Sequence, residues 1–319
     1  MDRRHILQLA MGLTMMVPIA DTAIADWAPE RPINMIVPYG AGGGTDAFAR
    51  AMATAAEDIF DAPIVVVNKP GSSGMVGAQA AAIARADGSN MMMTSAGSFL
   101  LNTLIRETDL DPFESFRIIG QIGELTTSIM VAANSPYQTV QDLIDAAAAD
   151  PGALRWAHTG RGSFHHVAGQ GFLNANSLEA QDVPFKGGAA TRAAVIGGQV
   201  DFGLIGVQQA RGFENEIRVL GLNSDERDGV MTDVPTLAEL GHSFVAVSSP
   251  IVVFAPKDVD DSVIDGMEAA LGEITASPTF AELLEARGTA PAFLDKAATE
   301  TKLRTMRDSV VPIVDGLQD

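Results

Sequence analysis

The run Ile33-Asn34-Met35-Ile36-Val37-Pro38-Tyr39-Gly40-Ala41-Gly42-Gly43-Gly44-Thr45-Asp46, continued by Ala47–Ala53, constrains the fold more than any other part of the chain. Ile33, Met35, Ile36 and Val37 form a short apolar run stopped by Pro38, as a buried central strand does. Four glycines in five positions follow. They lead into a helix whose first-turn amides Thr45 or Asp46 can cap. Bare backbone N–H groups at a helix N-terminus carry partial positive charge, so strand, glycine loop and helix together read as a seat for an anion.

The chain has 319 residues, 47% of them hydrophobic and 19% charged, which supports a sizeable core and about two domains. Residues 1–25 read as an export signal. Arg3 and Arg4 are followed by the mostly apolar Ile6–Ile19, and Ala23-Ile24-Ala25 is an Ala-x-Ala cleavage site. Asp2-Arg3-Arg4-His5-Ile6-Leu7 also resembles a twin-arginine signal, so the route is either Sec or twin-arginine and the destination periplasmic. The two arginines and two aspartates of this segment cancel, so the net charge of −19 belongs to the remainder. Such acidity argues against nucleic acid or an anionic membrane surface as partner. With no cysteine, disulfides, thiolate chemistry and cysteine-ligated metals are excluded. No further stretch reaches the ~18 apolar residues of a membrane span.

Strand and helix signals alternate along the rest. Pro63–Val67 reads as a second strand, Asn90–Ser95 as a third, and Leu154–His158, Ala180–Pro184 and Val200–Ile205 as later ones. This order predicts α/β lobes with mainly parallel sheets flanked by helices, their loops gathered at one sheet edge. Ser128–Ala133 and Ser248–Ala255 read as strands that cross between lobes. The expected architecture is a two-lobed clamshell: lobe 1 from residues 26–131 plus 250–319, and lobe 2 from 132–249. Thr236–Leu240 reads as a short helix, and the chain after about Val263 as helical.

Several chemistries are weighed and set aside. A dinucleotide fingerprint needs a third glycine where Thr45 stands, and an acid near the end of strand two where Asn68 stands. No Gly-Lys-Ser/Thr, G-x-S-x-G or H-E-x-x-H occurs. His158, His165 and His166 are close in sequence, but adjacent histidines do not share a helix face and no Cys or clustered carboxylate completes a metal set. Ser163 and His166, at i and i+3, are the one pair suggesting an enzyme, with no orienting acid nearby in sequence. What remains is five small-residue loops heading helices, at 40–46, 71–74, 95–98, 159–163 and 187–189, which favour a backbone-lined anion site and no cofactor.

Motifs along the whole mature chain resemble the extracytoplasmic solute receptors of tripartite tricarboxylate transporters, the Bug or tricarboxylate-receptor family. They are Arg31-Pro32-Ile33 leading to Val37-Pro38-Tyr39-x-x-Gly42-Gly43-x-Thr45-Asp46, and Val67-Asn68-Lys69-Pro70-Gly71 with Gly74 and Gly77. Asp142-Leu143, Pro151-Gly152 and Gly160-x-Gly162-Ser163-x-x-His166-x-Ala168-Gly169 follow. Then come Val183–Gly187, Gly197–Asp201 and Asp233–Gly241.

The resemblance implies a type II periplasmic-binding-protein fold, monomeric, that closes on a small organic carboxylate and presents it to the membrane subunits of a transporter. A sensor feeding a membrane receptor is the alternative. By position it implies a first seat from Tyr39, Gly42, Gly43, Thr45 and Asp46, and a second from Thr159, Gly160, Gly162, Ser163 and His166. Gly97, Ser98, Lys186 and Asp201 are expected nearby. Asp46 and Asp201 each have a structural reading too, as a helix cap and as a loop brace. Departures from the family pattern bear on the ligand. Arg161 replaces an Asn between the two glycines, Trp156 and His158 replace a Tyr and a small residue, and Phe164-His165 replaces a smaller pair. Arg161 is either a bidentate clamp for a second carboxylate or a solvent-facing surface charge.

Overall fold

The computed structural model describes residues 27–247 and 249–318, so the export signal read at 1–25 lies outside the described residues. The first lobe opens with β1 (Ile33–Val37), α1 (Gly44–Ala55), β2 (Ile64–Asn68), α2 (Met75–Ala82), β3 (Asn90–Ser95), α3 (Ala96–Ile105) and β4 (Phe116–Leu125). The second lobe holds β5 (Thr127–Ala132), α4 (Val140–Ala149), β6 (Arg155–His158), α5 (Phe164–Ala175), β7 (Gln181–Pro184), α6 (Gly188–Ile196), β8 (Phe202–Gly206) and β9 (Ile217–Leu222). The chain returns through β10 (Ser249–Pro256), α7 (Asp261–Ala276), α8 (Pro278–Glu285), β11 (Pro291–Leu294) and α9 (Lys296–Gln318). Two sheets result, ordered β11-β4-β10-β3-β1-β2 and β7-β6-β8-β5-β9.

The two-lobed α/β clamshell is therefore present, with corrections to its details. Both sheets are mixed rather than mainly parallel. Among the strands of the described residues, only β2-β1-β3 and β7-β6-β8 run parallel, while β10, β4, β11, β5 and β9 pair antiparallel. The crossover helices enforce parallel pairing where they occur, and strands that arrive from the other lobe are free of that constraint. The first crossing falls at Thr126, not near 131, because all of β5 pairs within the second sheet. The chain rejoins the first sheet at β10. β11 is an edge strand inside the stretch read as helical. Thr236–Leu240 is a turn braced by reciprocal Thr236–Glu239 bonds of 2.8 and 3.1 Å, too short to propagate a helix.

The strands that carry the loops are buried on both faces, which explains their unbroken apolar runs. Met35, Met91 and Met93 pack with Phe48 and Met52 of α1 on one side. Ile36 and Met92 pack with Phe99, Phe116 and Phe254 on the other, as strand alternation requires. Two glycines let the site-bearing helices approach their sheets. A Cβ on Gly123 of β4 would lie 2.0 Å from the Phe48 ring, and one on Gly169 of α5 would lie 2.2 Å from Trp156 of β6. The aromatic rings thus lie against bare backbone and set the positions of α1 and α5.

Candidate ligand-binding site

The C-terminal ends of β1, β3, β6 and β8 all open into the seam between the lobes. There lies a cavity of about 30 Å³, room for about two waters. Two helices begin on its wall without any side-chain cap: α1, whose N-cap is Gly43, and α6, whose N-cap is Gly187. This corrects the expectation that Thr45 or Asp46 caps α1. A Cβ placed on Gly43 would stand only 3.6 Å from the amide nitrogen of Gly188, so the two helix starts meet head to head across the lobes. Uncapped first-turn amides are unsatisfied donors, and two positive helix ends in apposition repel each other unless negative charge lies between them.

The wall side chains are neutral. Tyr39, Thr45, Ser95, Ser98, Thr159, His165, Gln208 and Gln209 supply hydroxyl, imidazole and amide groups, and among the described residues no Asp, Glu, Lys or Arg lines the cavity. Tyr39 bonds Thr94 at 3.2 Å, and burial pushes its phenol pKa up despite that bond. His165 is 5% exposed; its Nδ1 is 2.8 Å from the Thr159 hydroxyl and its Nε2 has no partner. Burial, helped by nearby His158, drives its pKa down to about 3, so the ring is neutral.

The lobes are closed on one another by direct bonds around this cavity. Ser98 Oγ accepts from Phe164 N at 3.1 Å, and Asn102 Nδ2 donates to Gly162 O at 3.0 Å. The Arg161 carbonyl accepts from Ser73 Oγ at 2.6 Å and from Arg106 at 2.9 Å. Gly40 N donates to Lys186 O at 3.3 Å. A wider adjoining chamber of about 310 Å³ shares Tyr39 and Thr159 with the cavity and is also lined by Gly160, Arg161 and Lys186.

Asp46 is buried and fully occupied. Its carboxylate accepts from Gly42 N at 2.8 Å, Arg50 Nε at 2.9 Å and Asn68 Nδ2 at 2.9 Å. Burial pushes its pKa up, but the bonds from Arg50, Gly42 and Asn68 outweigh that and hold it below the usual carboxylate value. It is the brace of the glycine loop, which turns at Gly42 with φ +78°. Asp201 does not reach the cleft. It accepts from Arg155 N at 2.7 Å, at the opposite end of β6 from the 159–163 loop.

The Arg161 guanidinium faces away from a ligand-clamping role. It grips Asp182 with Nε at 2.7 Å and a second nitrogen at 3.0 Å. Asp182 was unforeseen, and it changes the histidine argument: ligating atoms of His158, His166 and Asp182 lie within 4.8 Å of one another, so a carboxylate does join two histidines. The proton positions do not suit a metal, however. Gly160 N donates to Nδ1 of His158 at 3.2 Å and Gly162 N to Nδ1 of His166 at 3.4 Å. In each neutral ring the proton then sits on Nε2, and His158 Nε2 donates it to Asp182 at 3.2 Å. Burial keeps His158 below its ordinary pKa and takes His166 to about 4. The group is a brace for the second loop, stacked beneath by Trp156, whose ring lies 9° from the plane of His166. Ser163 Oγ caps α5 by accepting from His166 N at 3.2 Å, so the pair is not set up as nucleophile and base.

Of the expected residues, Tyr39, Gly43, Thr45, Ser98 and Thr159 line the cavity. Gly160, Arg161 and Lys186 line the neighbouring chamber, while Gly42, Asp46, Gly97, Gly162, Ser163 and His166 lie behind the walls in loops or first helical turns. The wall residues not foreseen include Phe164, His165, Gly187, Gly188, Gln208 and Gln209. Gly187 and Gly188 were signalled by the 187–189 loop. Gln208 and Gln209 follow β8 at the same sheet edge, where strand-end logic reaches them even without a glycine signal.

Comparison with known proteins identifies the family. The model of the tripartite tricarboxylate transporter family receptor matches residues 48–310. Protein BugT of Bordetella pertussis is 28% identical over 277 residues, covering 86% of this chain and 85% of BugT. A protein from the gbd 5′ region of Cupriavidus necator is 28% identical, covering 89% and 88% of the two chains. Among solved structures, the periplasmic binding protein BugD is 26% identical with a TM-score of 0.82, covering 91% of this chain and 97% of its own. An R. palustris protein solved with adipate is 25% identical with a TM-score of 0.84, covering 91% and 99%. The chain belongs to the tripartite tricarboxylate transporter receptor family, whose members are solute-binding receptors rather than enzymes.

Proposed function

We propose that this protein is exported to the periplasm, captures a small organic carboxylate between its lobes and delivers it to the membrane subunits of a tripartite tricarboxylate-type transporter. One observation carries the reading: the uncapped starts of α1 and α6 meet head to head on the wall of an interlobe cavity that, among the described residues, no charged side chain lines. A carboxylate placed there satisfies first-turn amides from both lobes and relieves the repulsion between two positive helix ends. Tyr39, Gly43, Thr45, Ser98 and Thr159 then surround it. In the open state the acid seats on one lobe, and closure brings up the other's donors, so binding and closure stabilise one another. The net charge of −19 does not oppose this, because at physiological salt screening acts over ~8 Å and the local amide dipoles set the site potential. The relative solved with adipate and the family's transporter membership support the ligand class and the hand-off.

Thermal denaturation of the purified protein against a panel of mono-, di- and tricarboxylates tests it. An acid at 100 times its Kd adds about 2.7 kcal/mol of stability. No stabilisation by any carboxylate would remove the basis of the proposal.

A further inference from the structure

Among the described residues, His165 is the one titratable side chain on the cavity wall besides Tyr39, and its chemistry is unfinished. Its Nδ1 edge is taken by the Thr159 hydroxyl at 2.8 Å, while Nε2 is buried with no partner. A buried polar atom left unpaired is costly, and such atoms mark places where a ligand or an ordered water completes the structure. When Thr159 donates to Nδ1, the single proton of the neutral ring sits on Nε2, and the wall offers one uncharged N–H donor.

We propose that His165 determines the specificity of the cleft: steadied by Thr159, its neutral imidazole donates Nε2–H to an oxygen of the bound acid that the helix ends leave unheld. The ligand class is a short carboxylate bearing a second acceptor oxygen, whether hydroxyl, oxo or carboxyl. Low ring basicity fits this role, because burial takes the ring pKa to about 3 and leaves the donor uncharged near neutral pH. A site with a buried donor discriminates strongly against an analogue that offers no acceptor there, since the donor is again left unpaired. The proposal rests on the reading of the cleft as a carboxylate site.

The test is calorimetric titration of the wild type, His165→Leu and His165→Gln with propionate, lactate, succinate, malate and adipate. Leucine fills the space without an N–H, and glutamine keeps one. The tightest acid is expected to weaken about 10- to 100-fold in His165→Leu and to stay within about fivefold in His165→Gln, and the preference for lactate over propionate to flatten in the leucine variant. In wild-type protein, the imidazole nitrogen NMR signals should show the Nε2 resonance of His165 shifting on saturation; this measurement decides the matter should the leucine variant fold poorly. Equal affinity of wild type and His165→Leu for an acid that binds, or an unmoved Nε2 resonance, overturns the role of His165 alone. No binding of any acid by the wild type overturns the carboxylate reading and this inference with it.

Discussion

Arg161 closes both prongs of its guanidinium on Asp182, at 2.7 and 3.0 Å, and offers the cleft its carbonyl instead of its charge. The pair lies within the second lobe and is largely exposed, and exposed pairs contribute little to stability. Arg161→Ala therefore leaves the latch carbonyl in place. Calorimetry should find ligand affinity within about threefold of wild type and the ranking of acids unchanged. A selective loss of di- or tricarboxylates would restore the clamp.

Asp46 organises the first glycine loop through three bonds, so Asp46→Asn should destabilise the fold by about 1–3 kcal/mol at pH 7. The folded carboxyl has a depressed pKa, so its stabilisation is present above the unfolded value near pH 3.9 and is lost as pH falls through the lower folded value. Urea melts of wild type and variant should differ fully at pH 7 and converge below about pH 4. A difference that persists unchanged at pH 3 would argue against the charged brace.

Asn102 of α3 forms part of the latch across the lobes. It donates to Ser98 O at 2.8 Å within its own helix and to Gly162 O at 3.0 Å across the lobes, and accepts from Arg106 Nε at 2.6 Å. Asn102→Ala should shift the population towards open molecules and weaken ligand binding about 5- to 30-fold. Small-angle scattering of the ligand-free variant should give a larger radius of gyration, and an unchanged radius with unchanged affinity would contradict the latch.

Gly40 tests closure with the smallest possible change. A Cβ there would stand 2.8 Å from the Lys186 carbonyl oxygen in the opposite lobe, where the Gly40 amide now donates at 3.3 Å. Gly40→Ala should fold with near wild-type helicity by circular dichroism but close poorly. Its affinity for the best acid should fall at least about tenfold, because closure is coupled to binding. Wild-type affinity would mean that the lobes tolerate wider separation than the bare glycine loop provides.

Much of the architecture was legible because its causes are short-range. Ile33–Val37 and its glycine loop announce strand, turn and helix through properties of neighbouring residues alone. The Thr139–Asp142 capping box likewise marks the start of α4, where Asp142 N donates to Thr139 Oγ1 at 3.1 Å. β11 escaped because four residues on a sheet edge carry little pattern of their own, and the crossing at Thr126 was misplaced because β5 is buried like a core strand of either sheet. Only pairing reveals which sheet it joins.

The sequence by itself determined that helices begin at glycine-rich loops on one sheet edge, that no cysteine chemistry exists, and that two α/β lobes would form. Tertiary structure alone decided that the α1 and α6 starts face each other, that Arg161 belongs to Asp182, that Asp46 is a brace, and that His165 rather than His166 stands on the wall. The reason is physical. Helix starts and strands depend on residues a few positions apart, whereas the partner of a charge and the wall of a cavity depend on which distant surfaces closure brings within 3 Å, a distance no local pattern encodes.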